Sequence, residues 1–538
     1  MGVVQQQGDR GQGRGGGRRL PIGVQTFREI RESGCYYVDK TPFIERLADG
    51  GKCFFLSRPR RFGKSLFVDT LKEAFEGNRK LFEGLVIHDS WDWSVCRPVL
   101  RLSFGGGIYG DRDGLRLNVL AQLDRVQRNT GVVSEYSTAP ERFAHLLEQL
   151  HHSTGRRVVV LVDEYDKPIL DVLDTPETAK ANRDFLRGLY AAIKDADAHV
   201  RFVFLTGVSK FSKVSLFSGL NNLIDITLDP DYSTICGYTD GDLDTVFAAE
   251  LEVLDRERIR RWYNGYNWCG PERVYNPFDV LLLFRNRRFG PYWFETGTPT
   301  FLVDLLIERG VSTPQLTRMT ASERLLSVFD VGRIGTEALL FQTGYLTITA
   351  EIISGGRILY ELDYPNLEVR MSLNDTLLAE LVHDPVAAQT NTTRLIGLLD
   401  TNDIEGLHGL FHAFYASIPH QWYTRNDIDR FEGFYAAVFY SHFAASDLDI
   451  VVEDSTNHGR VDMTVHHNDR VYLFEFKIAG RSSPGPIPDR MRQRGYPDKY
   501  RHHARTVYLI GVEFDPDTRN ITRFETTEIH ASKPPQPE

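Results

Sequence analysis

Cysteine is scarce in this sequence, which has five cysteines among its 538 residues. The number is odd, and no two of them are close enough together for a zinc knuckle. The pattern therefore supports neither a disulfide framework nor a structural zinc site. Such usage is typical of a reducing compartment, in which thiols act as small core residues. We expect a cytoplasmic protein.

Long hydrophobic runs are missing as well. The longest apolar stretches, such as residues 158–162, are far too short to cross a bilayer. The first residues lack the apolar core of a signal peptide. We expect a protein without a membrane anchor.

A surplus of positive charge is the third absence, since the formal net charge is −10. This value excludes a uniformly basic coat for nucleic acid but leaves room for a local basic groove. Apolar residues make up 41% and charged residues 25% of the chain, which is the balance of an ordinary soluble globular protein. A chain of this length favours two to four domains.

The chain does contain strand-like and helix-like apolar patterns, and their order along the sequence predicts an α/β fold. In residues 20–240, short apolar runs alternate with helical patterns, which indicates a mainly parallel sheet covered by helices. The runs cover residues 52–56, 99–104, 158–162 and 202–205. Residues 426–530 begin with a helical pattern and continue with strand patterns, so a second α/β domain is expected there.

The remaining segments are predicted to connect or flank these two domains. Residues 241–425 have mostly helical patterns with aromatic loops, and we expect a connecting or lid region there. Residues 1–19 and 531–538 have too little apolar content to offset the entropy of ordering, so both are predicted to be disordered tails.

A lysine and a serine at the start of a helical pattern form the first candidate site. The segment RPRRFGKS, residues 58–65, lies between an apolar run and the amphipathic pattern of residues 66–75. This is the context of a phosphate-binding loop, in which amides at a helix N-terminus face the phosphates. Gly63 would let the backbone approach the nucleotide, Lys64 would reach the β- and γ-phosphates, and the Ser65 hydroxyl would bind Mg²⁺.

The arginines of this segment are open to two interpretations. Arg58 stands where a glycine is usual, so a basic surface turn that contains GKS is the alternative to a nucleotide site. Arg60 and Arg61 are placed to contact phosphate oxygens of the nucleotide, or equally those of a nucleic acid.

Polar residues also follow two of the other apolar runs. Asp163 is predicted to hold Mg²⁺ and Glu164 to orient or deprotonate the attacking water. A pair of solvated strand-end carboxylates is the alternative. Thr206, Ser209 and Lys210 follow the next run and are candidates to sense the γ-phosphate. Because the carboxyl ends of parallel strands meet at one edge of a sheet, we expect these groups to converge there.

The second candidate site lies in the segment GRVDMTVHHNDRVYLFEFK. Two strand patterns flank a turn at residues 467–470 and predict a hairpin. Alternate residues of a strand share a face, so Glu475 and Lys477 point the same way, with Asp462 on the partner strand within reach. Two carboxylates suit Mg²⁺, and a lysine beside them can position water or stabilise charge on phosphorus. A cross-strand salt bridge is the alternative.

Further residues around this hairpin belong to the same prediction. Glu432, in the preceding helical segment, is an additional acidic candidate for the metal. Residues 481–505 hold seven Lys and Arg with two tyrosines between them, a composition suited to a phosphodiester backbone. A solvated helix face is the alternative. The aromatic segment WYNGYNW, residues 262–268, is interpreted as core packing in preference to base stacking.

Taken together, these segments resemble a known family. From Leu20 to about Phe514 the chain is similar to the bacterial and archaeal AAA-ATPase-like proteins that carry a C-terminal PD-(D/E)XK nuclease-like domain. The segments that carry the resemblance include YYVDKTPFI, LSRPRRFGKSL, VDEYDKP, FLTGVSKFSKVSLFSGLNNL, WYNGYNW, VYNPFDVL, FQTGYLTI, DYPNLEVR and GRVDMTV…YLFEFK.

The resemblance implies a P-loop domain followed by a nuclease-like domain. It implies Lys64 and Ser65 as nucleotide ligands and Asp163 with Glu164 as the second acidic motif. It also implies a nuclease triad with a possible helix acid: Asp462, Glu475 and Lys477, with Glu432. Similar nuclease domains often carry a glutamine in the next helix, where this chain has Arg490.

Two functional hypotheses follow. The first is an ATP-binding protein, an ATPase, coupled to a magnesium-dependent nuclease that acts on DNA or RNA through the C-terminal domain. The alternative is a non-catalytic nucleotide-dependent switch or sensor, whose nuclease-like domain only binds nucleic acid or a partner. Both hypotheses require ATP and Mg²⁺ at the first site, and an oligomer is compatible with either.

Overall fold

The computed structural model describes residues 18–110, 112–210, 216–217, 220, 222–297, 302–303, 305–306, 309, 311, 313–326, 335–382, 385–418, 432–480, 485–500 and 504–530. The chain divides into two compact units. Unit 1 runs to Trp293 and includes Ala321–Tyr360, and unit 2 comprises Phe294–Thr320 and the chain from Glu361 onward. The predicted tails lie almost entirely outside the described residues, and the domain boundaries at 240 and 425 stay a prediction.

A parallel sheet forms the centre of unit 1. Its described strands are β1 (Cys53–Ser57), β2 (Val99–Ser103), β3 (Val158–Asp163), β4 (Val200–Gly207) and β5 (Ile224–Asp225). They lie in the order β2-β3-β4-β1-β5, and each neighbouring pair is parallel. Every residue of β1 and of β3 is buried, which is the continuous apolar pattern of a sheet covered on both faces. The predicted parallel sheet is confirmed.

Helices of unit 1 follow and cover these strands. Their bounds are α1 (Phe27–Glu32), α2 (Pro42–Gly50), α3 (Lys64–Phe75), α4 (Arg112–Thr130), α5 (Ala139–Thr154), α6 (Lys167–Leu170), α7 (Pro176–Asp195), α8 (Asp240–Val246), α9 (Ala248–Leu251), α10 (Arg256–Tyr263), α11 (Pro277–Asn286), α12 (Tyr292–Gly297, which continues into unit 2), α13 (Glu323–Leu326) and α14 (Thr336–Thr343). Several begin with proline in the first turn, where the missing amide costs nothing. The predicted helix at residues 66–75 is present as α3.

The described residues also form a third, smaller sheet. Its strands are β6 (Met319–Ser322), β7 (Thr347–Ser354) and β8 (Arg357–Asp363). Among the described residues, none of the helices is both long enough and apolar enough to span a bilayer.

Unit 2 contains a second, mixed sheet. Its strands are β9 (Asp449–Thr456), β10 (Gly459–His467), β11 (Arg470–Ile478), β12 (Thr506–Asp515) and β13 (Asn520–His530), in the order β13-β12-β11-β10-β9. The β11–β12 pair is parallel and the others are antiparallel. The predicted hairpin is therefore present as β10 and β11.

Helices cover both faces of this second sheet. They are α15 (Leu367–Val382), α16 (Pro385–Thr401), α17 (Ile404–Ser417), α18 (Glu432–Ala444) and α19 (Ile487–Gln493). On one face, Phe474 packs against Phe439 and Phe443 of α18, with ring centroids 5.3 and 5.4 Å apart. On the other face, Leu473 belongs to a smaller core with Ile487 of α19. The alternation along β11 thus sends neighbouring side chains into different cores.

Candidate nucleotide and nuclease sites

The segment RPRRFGKS forms a loop between β1 and α3. Gly63 stands at the N-cap of α3 with a φ of 93°, a left-handed conformation that glycine adopts without a Cβ clash. Its carbonyl accepts the first helical hydrogen bond, from the Phe67 amide at 3.0 Å. The amide groups at the start of α3 are therefore presented at the carboxyl edge of the sheet, where an anion is stabilised.

Arg58 is a buried structural residue rather than part of a surface turn. Its guanidinium donates to the carbonyls of Ser57, Thr227 and Tyr232, at 2.8, 2.9 and 3.1 Å. It also lies 4.1 Å from the centre of the Trp268 ring. Burial lowers the pKa of Arg58 to about 10. The residue that replaces the usual glycine thus anchors the beginning of the loop to the protein core.

The WYNGYNW segment packs beneath the same loop. Phe62 lies edge-on to Tyr266 and Trp268, with ring centroids 4.7 and 5.5 Å apart. These aromatic rings are buried. The aromatic segment is therefore part of the core of unit 1, where it supports the loop from below.

The Lys64 side chain binds backbone carbonyls of its own loop. Its ammonium donates to the carbonyls of Arg58 and Pro59, at 2.9 and 2.8 Å, and the residue is 6% exposed. Burial lowers the pKa of Lys64, while the carboxylates of Glu164 and Asp163 act in the opposite direction. The lysine therefore lies within electrostatic reach of the acidic motif, as the sequence predicts.

The other predicted ligands of this loop lie at its surface. Arg60 and Arg61 are exposed, and the Arg61 guanidinium lies 4.8 Å from the centre of the Phe278 ring. The Arg60 carbonyl accepts a hydrogen bond from the Trp293 indole at 3.1 Å. Ser65 is partly buried as the second residue of α3. Phosphate contacts by these residues stay predictions.

Asp163 is the last residue of β3 and is 2% exposed. Its Oδ2 lies 3.5 Å from Arg101, which itself pairs with Asp69 at 2.8 Å. Within the part of the chain that the structure describes, the buried Oδ1 of Asp163 has no hydrogen-bond partner. A buried carboxylate oxygen without a donor is costly, and a bound cation would satisfy it. Asp163 thus fits a magnesium ligand, and Arg101 is a neighbour that the sequence did not indicate.

Glu164 has a left-handed backbone, with a φ of 53°, and a half-buried carboxylate. Burial raises the pKa of Glu164, and the Lys64 ammonium opposes this effect. Its carboxylate lies beside Gly105, where a Cβ would come within 3.1 Å of Oε2. The acid is thus held close to the end of β2 as well as to Lys64.

Asp166 organises the third strand end, and the sequence did not single it out. Its buried Oδ2 accepts hydrogen bonds from the Val208 amide at 3.0 Å, and from the Ser209 amide and hydroxyl at 2.6 Å each. Ser209 is consequently engaged by Asp166, and Lys210 pairs with Asp225 at 2.6 Å. A role for these residues as γ-phosphate sensors stays a prediction.

The nuclease candidates converge on one face of the β10–β11 hairpin. The Lys477 ammonium lies 3.3 Å from Glu475 Oε1 and 3.9 Å from Asp462 Oδ2. Asp462 Oδ2 also accepts the Phe476 amide at 2.7 Å, which fixes the carboxylate across the two strands. The three side chains are thus brought together as predicted, in an arrangement that includes the salt bridge weighed as the alternative.

The carboxylates of this cluster fit a divalent cation. Glu475 is 7% exposed, and its buried Oε2 has no hydrogen-bond partner within the described ranges. No cluster of three or more His, Cys, Asp or Glu suited to a metal occurs among the described residues. Glu432 begins α18, but its side chain lies outside the described residues, so its predicted role stays a prediction. Asp462 and Glu475 alone would hold the metal through two carboxylates, with water in the remaining positions.

Cations around the site come from the segment after β11. Arg494 lies 3.9 Å from Glu475 Oε1 and donates to the Tyr496 hydroxyl at 3.0 Å. Arg490 instead donates to the Gly485 carbonyl at 3.3 Å. The sequence directed attention to Arg490, whereas the fold brings Arg494 beside the carboxylates.

A buried carboxylate next to these strands was also missed. Asp454 accepts hydrogen bonds from Thr464 at 3.0 Å, from the Tyr500 hydroxyl and from the Lys499 ammonium. It thereby fixes the basic segment after α19 to the sheet. An acid in a strand flanked by polar residues has no distinctive sequence pattern, so no signal in the sequence marked it.

Comparison with known proteins agrees with this division. A family model described as "Predicted AAA-ATPase" matches residues 21–217, and one described as "PD-(D/E)XK nuclease superfamily" matches residues 430–524. A protein of Azotobacter chroococcum mcd 1, titled "Uncharacterized protein in vnfD 5'region", is 56% identical over 508 residues, which cover 94% of this chain and 98% of that protein. No solved structure matches the chain. The chain therefore belongs to the family of predicted AAA-ATPases that carry a C-terminal domain of the PD-(D/E)XK nuclease superfamily.

Proposed function

We propose that this protein binds and hydrolyses ATP in unit 1 and cleaves nucleic acid with Mg²⁺ in unit 2. One repeated observation supports both halves of the proposal. In each unit, the charge of a lysine interacts with those of carboxylates, one of which has a buried oxygen without a donor among the described residues. In unit 2, the lysine and Glu475 lie 3.3 Å apart. Such an arrangement costs free energy unless a cation completes it.

In unit 1, the residues act through binding and orientation. Lys64 exchanges its two loop carbonyls for the β- and γ-phosphates of ATP, and the α3 amides bind the same anion. Ser65 and Asp163 would hold Mg²⁺, which would supply positive charge to balance the negative charge of the phosphates. Glu164 accepts a hydrogen bond from the attacking water and aligns it with the γ-phosphorus. Release of ADP and phosphate lets Lys64 return to the loop.

In unit 2, Asp462 and Glu475 would hold Mg²⁺, and a cation at this position would supply Lewis-acid activation of the scissile phosphodiester. Lys477 positions the water for attack or stabilises the additional negative charge on phosphorus. Arg494 adds a second positive charge next to Glu475. Cleavage of a P–O bond by water gives one terminal phosphate and one terminal hydroxyl, so no other reactant is needed.

The nuclease half is tested with labelled DNA and RNA in Mg²⁺, with and without ATP. Lys477→Ala is expected to abolish cleavage and to leave the protein folded, because Lys477 is partly exposed. Arg523→Ala, on the exposed side of β13, is the control that removes a positive charge from the same sheet and retains cleavage. Equal cleavage by wild type and Lys477→Ala would refute the assignment.

The second candidate is a nucleotide-dependent switch that binds nucleic acid or a partner without cutting. Arg490 supports it, because this arginine takes the place where similar nuclease domains often have glutamine. Tight binding of nucleic acid by the wild type in Mg²⁺, without cleavage of DNA or RNA, would establish this candidate and exclude the nuclease.

A further inference from the structure

A pocket in unit 1 lies away from the phosphate-binding loop, between α10 and the end of α11. Its volume is about 510 Å³, within the range of ligand sites in proteins. The residues that matter for its chemistry are Val253, Arg258, Trp262, Arg287, Arg288 and Phe289. We call this group the arginine pocket. None of its residues is a proposed nucleotide, metal or catalytic residue of the two sites described above, although Trp262 begins the WYNGYNW segment.

The charge of the arginine pocket is opposite to that of the whole chain. Arg258, Arg287 and Arg288 are all exposed, in a protein whose formal net charge is −10. Arg287 pairs with Glu250. For Arg258 and Arg288, no side-chain ion pair or hydrogen bond is found within the part of the chain that the structure describes. The pocket therefore presents two guanidinium groups that an anion can bind.

One carboxylate lines the same pocket, and it is already engaged. Asp255 is the N-cap of α10, where its Oδ1 accepts the amides of Glu257 and Arg258 at 3.0 and 3.2 Å. The helix N-terminus stabilises this negative charge locally. The balance of the lining residues is thus three arginines against one capping aspartate.

The pocket also contains planar side chains. The Arg258 guanidinium lies 4.4 Å from the centre of the Phe289 ring, and Trp262 packs 5.6 Å from the same ring. A guanidinium held on an aromatic face is a planar cation on which a nucleobase can stack. Val253 is 78% exposed and adds an apolar rim. Planar, apolar and cationic groups together suit a base attached to a phosphodiester.

We propose that the arginine pocket binds single-stranded nucleic acid, with a base against Arg258 and a backbone phosphate on Arg288. The choice of nucleic acid over an acidic peptide rests on the proposed function, since a nuclease domain brings this polyanion to the protein. Stacking on a guanidinium favours unpaired bases, because bases in a duplex expose only their edges. The pocket is thus a binding site in the AAA-ATPase-like unit, separate from the nuclease carboxylates.

Binding is measured by fluorescence anisotropy with fluorescein-labelled single-stranded DNA and RNA oligonucleotides. The protein is the full chain with Lys477→Ala, in EDTA, so that cleavage does not interfere. The double variant Arg258→Gln, Arg288→Gln is expected to bind about tenfold more weakly. The slope of log Kd against log salt concentration should decrease by an amount that corresponds to roughly one to two released ions. Arg285→Gln, an exposed arginine of α11 outside the pocket, is the matched control and should change the affinity less than twofold.

Three results would overturn the proposal. Unchanged affinity in the double variant, with the same thermal midpoint as the parent, would exclude nucleic-acid binding at the pocket. An equal loss in Arg285→Gln would indicate nonspecific charge. Competition by poly-glutamate at matched charge, as strong as by an unlabelled oligonucleotide, would assign the pocket to an acidic peptide. Cleavage assays in Mg²⁺ on the pocket variants keep the two claims separate, because the nuclease can fail while the pocket binds, and the reverse.

Discussion

At the scale of single residues, Arg58 shows how a motif can be changed without loss of its architecture. An arginine in place of a loop glycine adds a large charged side chain, and the fold buries it on three carbonyls and an indole ring. Burial of an arginine is costly unless its donors are bound, and both terminal nitrogens of Arg58 donate to these carbonyls. In the same loop, the Lys64 ammonium donates to the Arg58 and Pro59 carbonyls.

We predict that Arg58→Ala destabilises the protein by about 3 kcal/mol or more, because it removes the guanidinium that donates to three carbonyls and opens a cavity beside Trp268. Urea denaturation monitored by tryptophan fluorescence measures this change. Arg61→Ala, which removes an exposed arginine from the same loop, should alter the unfolding midpoint only slightly. Equal midpoints for Arg58→Ala and the wild type would show that Arg58 is not a structural residue.

A second prediction at this scale concerns Glu164, whose pKa is raised by burial above its ordinary value of 4.5. A raised pKa means that ionisation disfavours the folded state, so its cost is absent at low pH and appears as pH rises through the folded pKa. Without nucleotide, Glu164→Gln should therefore be more stable than wild type at neutral pH and equally stable near pH 3. Urea midpoints at both pH values measure this.

The catalytic side of the same residue gives an independent measurement. Glu164→Gln should bind ATP but lose at least about 100-fold in hydrolysis, because the amide cannot accept the proton of the water. The wild-type ATPase rate should fall on the acid side at a pH above 4.5. A Gln variant that hydrolyses ATP at the wild-type rate would remove Glu164 from the mechanism.

At the scale of elements, the RPRRFGKS loop is in contact with residues of unit 1 that are distant in the sequence. Gly344, which ends α14 with a φ of 93°, lies so close to Pro59 that a Cβ would approach its ring atoms to 2.8 Å. The Trp293 indole, which like Gly344 lies downstream of the loop in the sequence, donates a hydrogen bond to the Arg60 carbonyl. The position of the loop is thus set by residues far downstream, and not by its own sequence alone.

We expect Gly344→Ala to weaken ATP binding, because the added methyl group pushes Pro59 and the loop carbonyls that hold Lys64. Gly356→Ala is the matched control, since Gly356 also has a positive φ, 76°, but no atom lies within 4 Å of its Cβ position. Both variants carry a similar backbone strain. Titration with a fluorescent ATP analogue should show a several-fold higher Kd for Gly344→Ala only, and equal Kd values would contradict the role of this contact.

The helices and strands also show which structural features can be predicted from the sequence and which cannot. The β10–β11 hairpin, the alternation of Glu475 with Phe474 and the helix over residues 66–75 follow from local periodicity, and the structure has all three. The contacts of Arg58 with Trp268 and of Gly344 with Pro59 join residues far apart in the chain. Such contacts leave no periodic signal, because tertiary packing alone brings the residues together.

At the scale of the whole molecule, each of the two compact units carries one of the two candidate sites, and the proposed activities can influence each other only if the units are coupled. ATP can change nuclease activity only if it binds one conformational state of unit 1 more tightly than another. The resulting shift in free energy must also change the conformational equilibrium of unit 2. The sites themselves have no residue in common. Substitution of one lysine in each site therefore separates direct from coupled effects.

We predict that wild-type cleavage of nucleic acid depends on ATP and that Lys64→Ala removes this dependence without removing cleavage. Lys64→Ala loses the only ammonium among the described residues of the loop, so ATP cannot shift the equilibrium of unit 1. In contrast, Lys477→Ala should retain ATP hydrolysis while cleavage is lost. Parallel assays of phosphate release and of oligonucleotide cleavage, with and without ATP, measure all four combinations. If ATP changes cleavage equally in wild type and Lys64→Ala, the nucleotide does not act through this loop, and the two units work independently.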